Sequence, residues 1–190
     1  DIMLATTQSA AFSKDKASLN ELQQIWQKVS PQHKDSPKGN QISTVIYPDG
    51  EPLKVGDAFP YGTKVYDIEG NEHLLDEFKG RTLLLYFSSH GCKPCVGVKK
   101  ELEEIVRSGQ SPVEIVGLNL DGETSWKVGS KARPAIWPEF NELKGSDGLF
   151  RRFETLGVPT FVVVSDEGMI LDIWAGARAG MLLDRINAAL

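Results

Sequence analysis

Only two of the 190 residues are cysteine, at positions 92 and 95. So small an inventory excludes a framework of scattered disulfides stapling a small fold. The thiols form one local pair, and their number alone does not identify a redox compartment. Long apolar runs are also missing, and none approaches the ~20 residues needed to cross a bilayer. Positive charge is not in excess: the formal net charge is −5, which leaves no basic footprint for nucleic acid. Histidine is scarce. His33, His73 and His90 show no knuckle spacing with a second cysteine pair, so a zinc site would lack two of its four ligands. Val96 follows Cys95, where covalent haem attachment needs histidine. No metal and no cofactor is therefore expected. The chain starts at Asp1 without a basic region and apolar core behind it, so the expectation is a mature or trimmed chain whose targeting segment has been removed.

What is present describes an ordinary globular protein, 41% apolar and 25% charged, of a length that suits one domain plus an extension. Residues up to about 16 are small and polar, a poorly ordered lead. Residues 18–29 read as a helix, with Ser18 and Glu21 at capping-box spacing. Leu19, Leu22, Ile25, Trp26 and Val29 form its apolar face, and Ser30-Pro31 stops it. A second short helix starts at Ser36-Pro37, with Ile42, Val45 and Ile46 inward. Residues 47–56 read as a linker, dividing a helical extension (1–52) from an α/β domain (53–190).

In that domain Glu69-Gly70-Asn71 separates two short strands as a hairpin turn. Leu83-Leu84-Leu85-Tyr86-Phe87 is continuously apolar and suits a buried central strand. Val98, Leu102, Ile105 and Val106 recur at helical spacing after the cysteines. Residues 113–120 form the next buried strand, and residues 123–131 a weak helix. Residues 147–156 read as a better helix, with Leu149, Phe153 and Leu156 on one side and Gly157 at its end. Strands at 160–164 and 169–174 and a closing helix from about 180 complete the chain. The early order demands parallel βαβ crossovers and the late part an antiparallel hairpin. The fold class is thus α/β, a mixed sheet with helices on both faces. Trp26, Trp126, Trp137 and Trp174 read as packing residues.

Cys92 follows a buried strand by the short loop Ser88-Ser89-His90-Gly91 and opens a helix. Free backbone N–H groups and the helix dipole stabilise an anion there, favouring the thiolate. Lys93 adds a neighbouring cation, and Pro94 suits a first helical turn. Cys95 lies one turn on, close enough to bond Cys92. This placement makes Cys92 the exposed nucleophile and Cys95 the buried resolving thiol. An inert structural disulfide is the plainer alternative, but so short a loop gains little chain entropy from closure. His90 reads equally as a tuning residue and as a solvated loop histidine. Lys99 and Lys100 fall on the solvent face of the helix. Val158-Pro159-Thr160 opens a strand, where proline is tolerated. Most X-Pro bonds are trans, so the residues alone point to a trans bond.

Leu83 through Glu101, Leu156 through Ile170, the stretch from Val55 to Pro60 and the turn at Asp67-Ile68-Glu69-Gly70 resemble the thioredoxin superfamily. The branch most similar is that of TlpA/ResA-like envelope thiol–disulfide oxidoreductases. The resemblance covers roughly residues 55–190 and implies a thioredoxin-like fold. It places a cis-proline at Pro159 facing the cysteines, with Val158 offering backbone hydrogen bonds to an extended substrate segment. Residues 22–46 resemble the helical linker that precedes the redox domain in multidomain Bacteroidetes proteins of this type, implying an upstream domain or membrane anchor. The family also implies a bacterial periplasmic or envelope location and partner proteins that carry disulfides or dithiols. This chain departs from the pattern at three places. Gly91 stands where the family has tryptophan, Tyr86 where thioredoxin has a buried acid, and Val98 where the branch often has glutamate. The departures bear on proton handling at Cys95. The implied function is disulfide exchange, as a reductase. A redox-weakened binding module and a peroxidase of related fold are the alternatives, and the retained C-x-x-C argues against the peroxidase.

Overall fold

The structure, a computed structural model, describes residues 16–178 and 180–190, with side chains from residue 19 onward. The chain divides into two compact units, Asp1–Pro52 and Leu53–Leu190.

The first unit contains helices α1 (Lys16–Gln27), α2 (Pro31–Lys34) and α3 (Pro37–Ile46). Leu22 and Trp26, one turn apart on α1, are buried with Ile46 of α3. Trp26 Nε1 donates to Glu51 Oε1 at 3.1 Å, and Gln23 Nε2 donates to the Ile46 carbonyl at 2.9 Å. Ser36 caps α3, its hydroxyl accepting from the Gly39 N–H at 3.0 Å. Pro31 and Pro37 sit in first turns, where a missing N–H costs nothing. Ile25, expected on the apolar face, is exposed. The Ser18 half of the expected capping box lies outside the described side chains.

The second unit opens with the antiparallel hairpin β1 (Lys64–Tyr66) and β2 (Glu72–Leu74), followed by a 3-10 turn over Leu75–Phe78. Then come β3 (Leu83–Ser88), α4 (Lys93–Arg107), β4 (Glu114–Asn119), α5 (Glu123–Ala132), β5 (Glu139–Phe140), α6 (Leu149–Arg152), β6 (Thr160–Val164), β7 (Ile170–Ala175) and α7 (Leu182–Ala189). The sheet order is β5-β4-β3-β6-β7. β4 runs parallel to β3 and to β5, whereas β6 is antiparallel to β3 and to β7.

All six residues of β3 are buried, and the two-residue period of a strand divides them between two cores. Leu83, Leu85 and Phe87 join Val116, Leu118 and Val162 on one face, closed by Leu75, Phe78, Phe150 and Phe153. Leu84 and Tyr86 join Ile115, Phe161 and Val163 on the other. There α4 contributes Cys95, Val98, Leu102 and Ile105, and α7 contributes Leu182 and Ile186. Full burial of one such aliphatic side chain contributes about 1.5–3 kcal/mol. All four tryptophans are buried.

Several elements differ from the sequence reading, the short helix α2 and the 3-10 turn at Leu75–Phe78 among them. The helix expected over 147–156 is only the single turn α6, because Gly148 enters it at φ 73° and Glu154 leaves it at φ 50°. Phe153 remains buried, but Leu156 is fully exposed rather than on an apolar helix face. β5 was not foreseen, since two residues are too few to show a period.

Gly129 within α5 faces the His90 ring: a Cβ there would lie 2.4 Å from ring carbons. Glycine inside a helix normally costs about 1 kcal/mol relative to alanine. Gly129→Ala is therefore expected to lower the denaturant midpoint despite its better helix propensity. Gly97→Ala on α4, with nothing within 4 Å of its Cβ, is expected to raise stability by up to about 1 kcal/mol. Equilibrium urea unfolding of the two variants checks the opposite signs.

Candidate active site

β3 delivers the chain to a loop, Ser89-His90-Gly91, that a single carboxylate holds. Asp121, just past β4, accepts from the Ser89 hydroxyl at 2.6 Å and from the His90 backbone N–H and Nδ1 at 2.8 Å each. The Asp121 N–H donates to Asn119 Oδ1, and Asn141 Nδ2 donates to the Asp121 carbonyl, both at 2.8 Å. Burial pushes the Asp121 carboxyl up, but the donors from Ser89 and His90 outweigh it and hold the group below the ordinary aspartate range. His90 is thus packed against α5 and hydrogen-bonded, not a solvated loop residue.

Cys92 is the N-cap residue of α4. It is half-buried, whereas Cys95 is only 4% exposed. The two are joined as a disulfide, with 5.3 Å between their Cα atoms. The Cys95 N–H donates to Cys92 Sγ at 3.1 Å, so one orphan N–H of the first helical turn already points at this sulfur. Lys93 and Pro94 complete that turn and are exposed. Across from them the Val158–Pro159 peptide is cis. The Val158 carbonyl oxygen lies 3.5 Å from Cys92 Sγ. Pro159 is buried directly before β6, and its carbonyl accepts from the Gly176 N–H at 2.7 Å. The structure therefore brings Cys92, Cys95 and Val158 together, with Lys93 and Pro94 on the helix tip and Pro159 behind Val158.

Beneath the pair, Tyr86 occupies the position where the resemblance leads one to expect an acid. It is 3% exposed, stacks on Phe161 with ring centroids 5.5 Å apart, and donates its hydroxyl to the Cys95 carbonyl at 3.1 Å. Burial raises the phenol pKa well above its usual range, with the Glu139 charge adding to the effect against a lowering bond from Ser88. Tyr86 consequently stays a protonated donor. Val98, at the other departure, is a buried core residue. Lys99 is not simply solvated: its Nζ donates to the Arg133 carbonyl at 2.5 Å. A groove of about 320 Å3 runs beside Cys95 and Tyr86, lined also by His90, Lys99 and Glu139.

Chemically, the arrangement supplies an accessible sulfur at a helix N-terminus, a second sulfur within bonding distance and shielded from solvent, and a carbonyl edge beside the first. Sequence reasoning missed Asp121, Glu139 and the Tyr86 hydroxyl contact. Asn119 and Asp121 carried a usable signal, because polar residues at the carboxyl end of a buried parallel strand sit where sites in open α/β sheets gather. Glu139 carried none.

A thioredoxin-like family model matches residues 80–170. The chain aligns with probable nucleoredoxin 2 of Oryza sativa subsp. japonica at 26% identity over 117 residues, 55% of this chain and 30% of that protein. It aligns with probable nucleoredoxin 1 of Arabidopsis thaliana at 29% identity over 107 residues, 55% of this chain and 18% of that protein. The chain thus spans less than a third of the length of these curated relatives. Among solved structures, a thiol:disulfide interchange protein from Bacteroides sp. superposes with a TM-score of 0.60 at 23% identity, covering 72% of this chain and 90% of its own. A thiol-disulfide oxidoreductase from Bacteroides fragilis gives 0.57 at 20% identity, covering 72% and 100%. Identities this low speak to the fold. The mixed central sheet flanked by helices has a thioredoxin-like fold, and further helices precede it in the chain.

Proposed function

We propose that this chain is a thiol–disulfide oxidoreductase of the TlpA/ResA-like branch, working as a reductase of disulfide-bearing partner proteins. The observation that carries the reading is the unequal pair at one helix tip: Cys92 half-buried at the N-cap beside the Val158 carbonyl, Cys95 buried one turn behind it. In the reaction, the Cys92 thiolate attacks a partner disulfide and releases one partner thiolate, which takes up a proton. The Cys95 thiolate then attacks Cys92 Sγ and releases the second. The partner gains two electrons, and Cys92–Cys95 is left oxidised. The exposed Lys93 ammonium favours the Cys92 thiolate. Pro94 shapes the first turn without needing a donor. Val158 presents its backbone to an extended partner segment, and Pro159 seats that edge against the sulfur. The resemblance to envelope oxidoreductases assigns it to the cell envelope, with another dithiol protein restoring the reduced form and an upstream domain or anchor in the full-length polypeptide.

One observation favours a second reading. Tyr86 stands under the pair where an ionisable acid is expected, as in a thioredoxin-fold module that binds partners with weakened redox activity. The two readings separate on the reduced Cys92 thiol: a pKa near the unperturbed ~8.5 favours the module, and a lowered one the reductase.

The reduced protein is expected to reduce insulin. Cys92→Ala is expected to bring that activity to background, and Cys95→Ala to accumulate a mixed disulfide visible on non-reducing gels. Full activity in Cys92→Ala would end the proposal. Titration of the pair against glutathione sets the direction, with a potential toward the reducing end expected.

The loop that carries Cys92 gives a pH-dependent expectation. The Asp121 carboxyl is held low in the folded chain, so its stabilisation is full above the ~3.9 of an unfolded aspartate and drains away as the pH falls below it. Asp121→Asn is expected to lower the melting temperature at neutral pH. The gap to the parent should narrow on acidification below that range, as followed by thermal melts across acid pH.

A further inference from the structure

Buried Cys95 must lose its proton before it attacks, and Tyr86 beneath it cannot accept one. The sheet register shows where another acceptor sits. Tyr86 of β3 pairs with Gly117 of β4, and Gly117 pairs with Glu139 of β5. Cross-strand partners project from the same face, here the face that carries Cys95 and α4. Gly117 has no side chain to stand between the other two. A Cβ there would come within 3.0 Å of Trp137 Nε1 and 3.3 Å of Glu139 Cγ. Glu139 Oε1 is fixed from α5, accepting from Trp126 Nε1 at 3.2 Å and from the Ser130 hydroxyl. Those bonds orient the carboxylate and leave its second oxygen outside them. Glu139, Tyr86 and Cys95 line the same groove of about 320 Å3, room for several waters at roughly 30 Å3 each.

The other charged or titratable groups on this groove are His90, Lys99, Lys100, Glu103 and Arg133. Lysine and arginine side chains offer donors and no acceptor, which sets aside Lys99, Lys100 and Arg133. Glu103 lies eight positions beyond Cys95 on α4, roughly 12 Å along the helix at 1.5 Å per residue. His90 has Nδ1 engaged by Asp121 at 2.8 Å and its ring packed against Gly129.

We propose that Glu139 accepts the Cys95 thiol proton across this groove, serving from β5 the task that Tyr86 cannot serve from β3. The inference rests on the disulfide-exchange reading above. In the step, the Cys95 S–H proton passes through groove water to the Glu139 carboxylate. The Cys95 thiolate attacks Cys92 Sγ, the Cys92–partner S–S bond breaks, and the partner leaves as a thiolate. Glu139 then returns the proton to solvent.

The test uses 5,5′-dithiobis(2-nitrobenzoate) with the reduced protein in stopped flow. The first thionitrobenzoate released reports attack by Cys92, and the second reports attack by Cys95. Glu139→Gln keeps an acceptor for Trp126 and Ser130 but cannot take a proton. It is expected to slow the second release by about tenfold or more at neutral pH, general-base assistance commonly contributing at least that much. Its rate should then rise only in the thiol range of pH. The first release should be unchanged, which also shows that the helix tip is intact. Glu139→Asp should restore part of the rate. A second release with the parent's rate and pH profile in Glu139→Gln overturns the proposal while leaving the exchange reading in place. So does a second release that responds to His90→Gln and not to Glu139→Gln. A parent protein that releases no thionitrobenzoate overturns both.

Discussion

A strand buried on both faces has to hand its chain to polar surroundings at its end, and in this domain that handover builds the site. β3 lies between β4 and β6 and gives every side chain to one of the two cores. At its carboxyl end the backbone can no longer be paired by neighbours alone. Asp121 from the β4 edge takes up the next donors, and the α4 N-terminus begins directly after them. The cysteine pair is therefore positioned by the core of the sheet rather than by a mobile loop. Its buried member belongs to the same cluster as Leu84, Tyr86 and Phe161.

The features that give this site its place were legible where burial leaves a period or a run. The continuous apolar stretch from Leu83 to Phe87 announced a central strand, and Val98, Leu102 and Ile105 announced the helix behind the cysteines. The hairpin around Gly70 and the strand opening at Thr160 came from turn residues and β-branched runs. Illegible features had tertiary causes. Leu156 has the spacing of a core helix position, but positive φ at Glu154 ends the helix first. His90 looks like any loop histidine until Asp121 and Gly129, distant in sequence, are brought against it. The Val158–Pro159 bond was suggested by resemblance, against the general preference of X-Pro. Glu139 depends on a two-residue strand whose partner is a glycine.

Tyr86 shows how one substitution redistributes two jobs. An acid under Cys95 could exchange a proton, but once ionised it could not donate to the Cys95 carbonyl. The phenol does the reverse. Its hydroxyl donates to the Cys95 carbonyl, and burial keeps it protonated, so the attachment of the first turn of α4 to the sheet is the same across the working pH range. Its ring joins a stack with Phe161 and Trp174, which a carboxylate could not do. The position has moved from chemistry toward packing.

Proton handling does not have to leave with it. A thiol needs an acceptor on the volume it opens onto, not at one particular strand position, and a sheet offers neighbouring strands in register at about 4.8 Å spacing. A side chain two strands from Tyr86 can reach that volume only if the strand between is bare. Gly117 meets that condition, and it would fail with any larger residue, because Trp137 and Glu139 already fill the space above it. The glycine, unremarkable in the sequence, is thus what makes Tyr86 under the cysteines compatible with an acid on the same groove. The dithiol can keep its chemistry while the residue beneath it becomes part of the core.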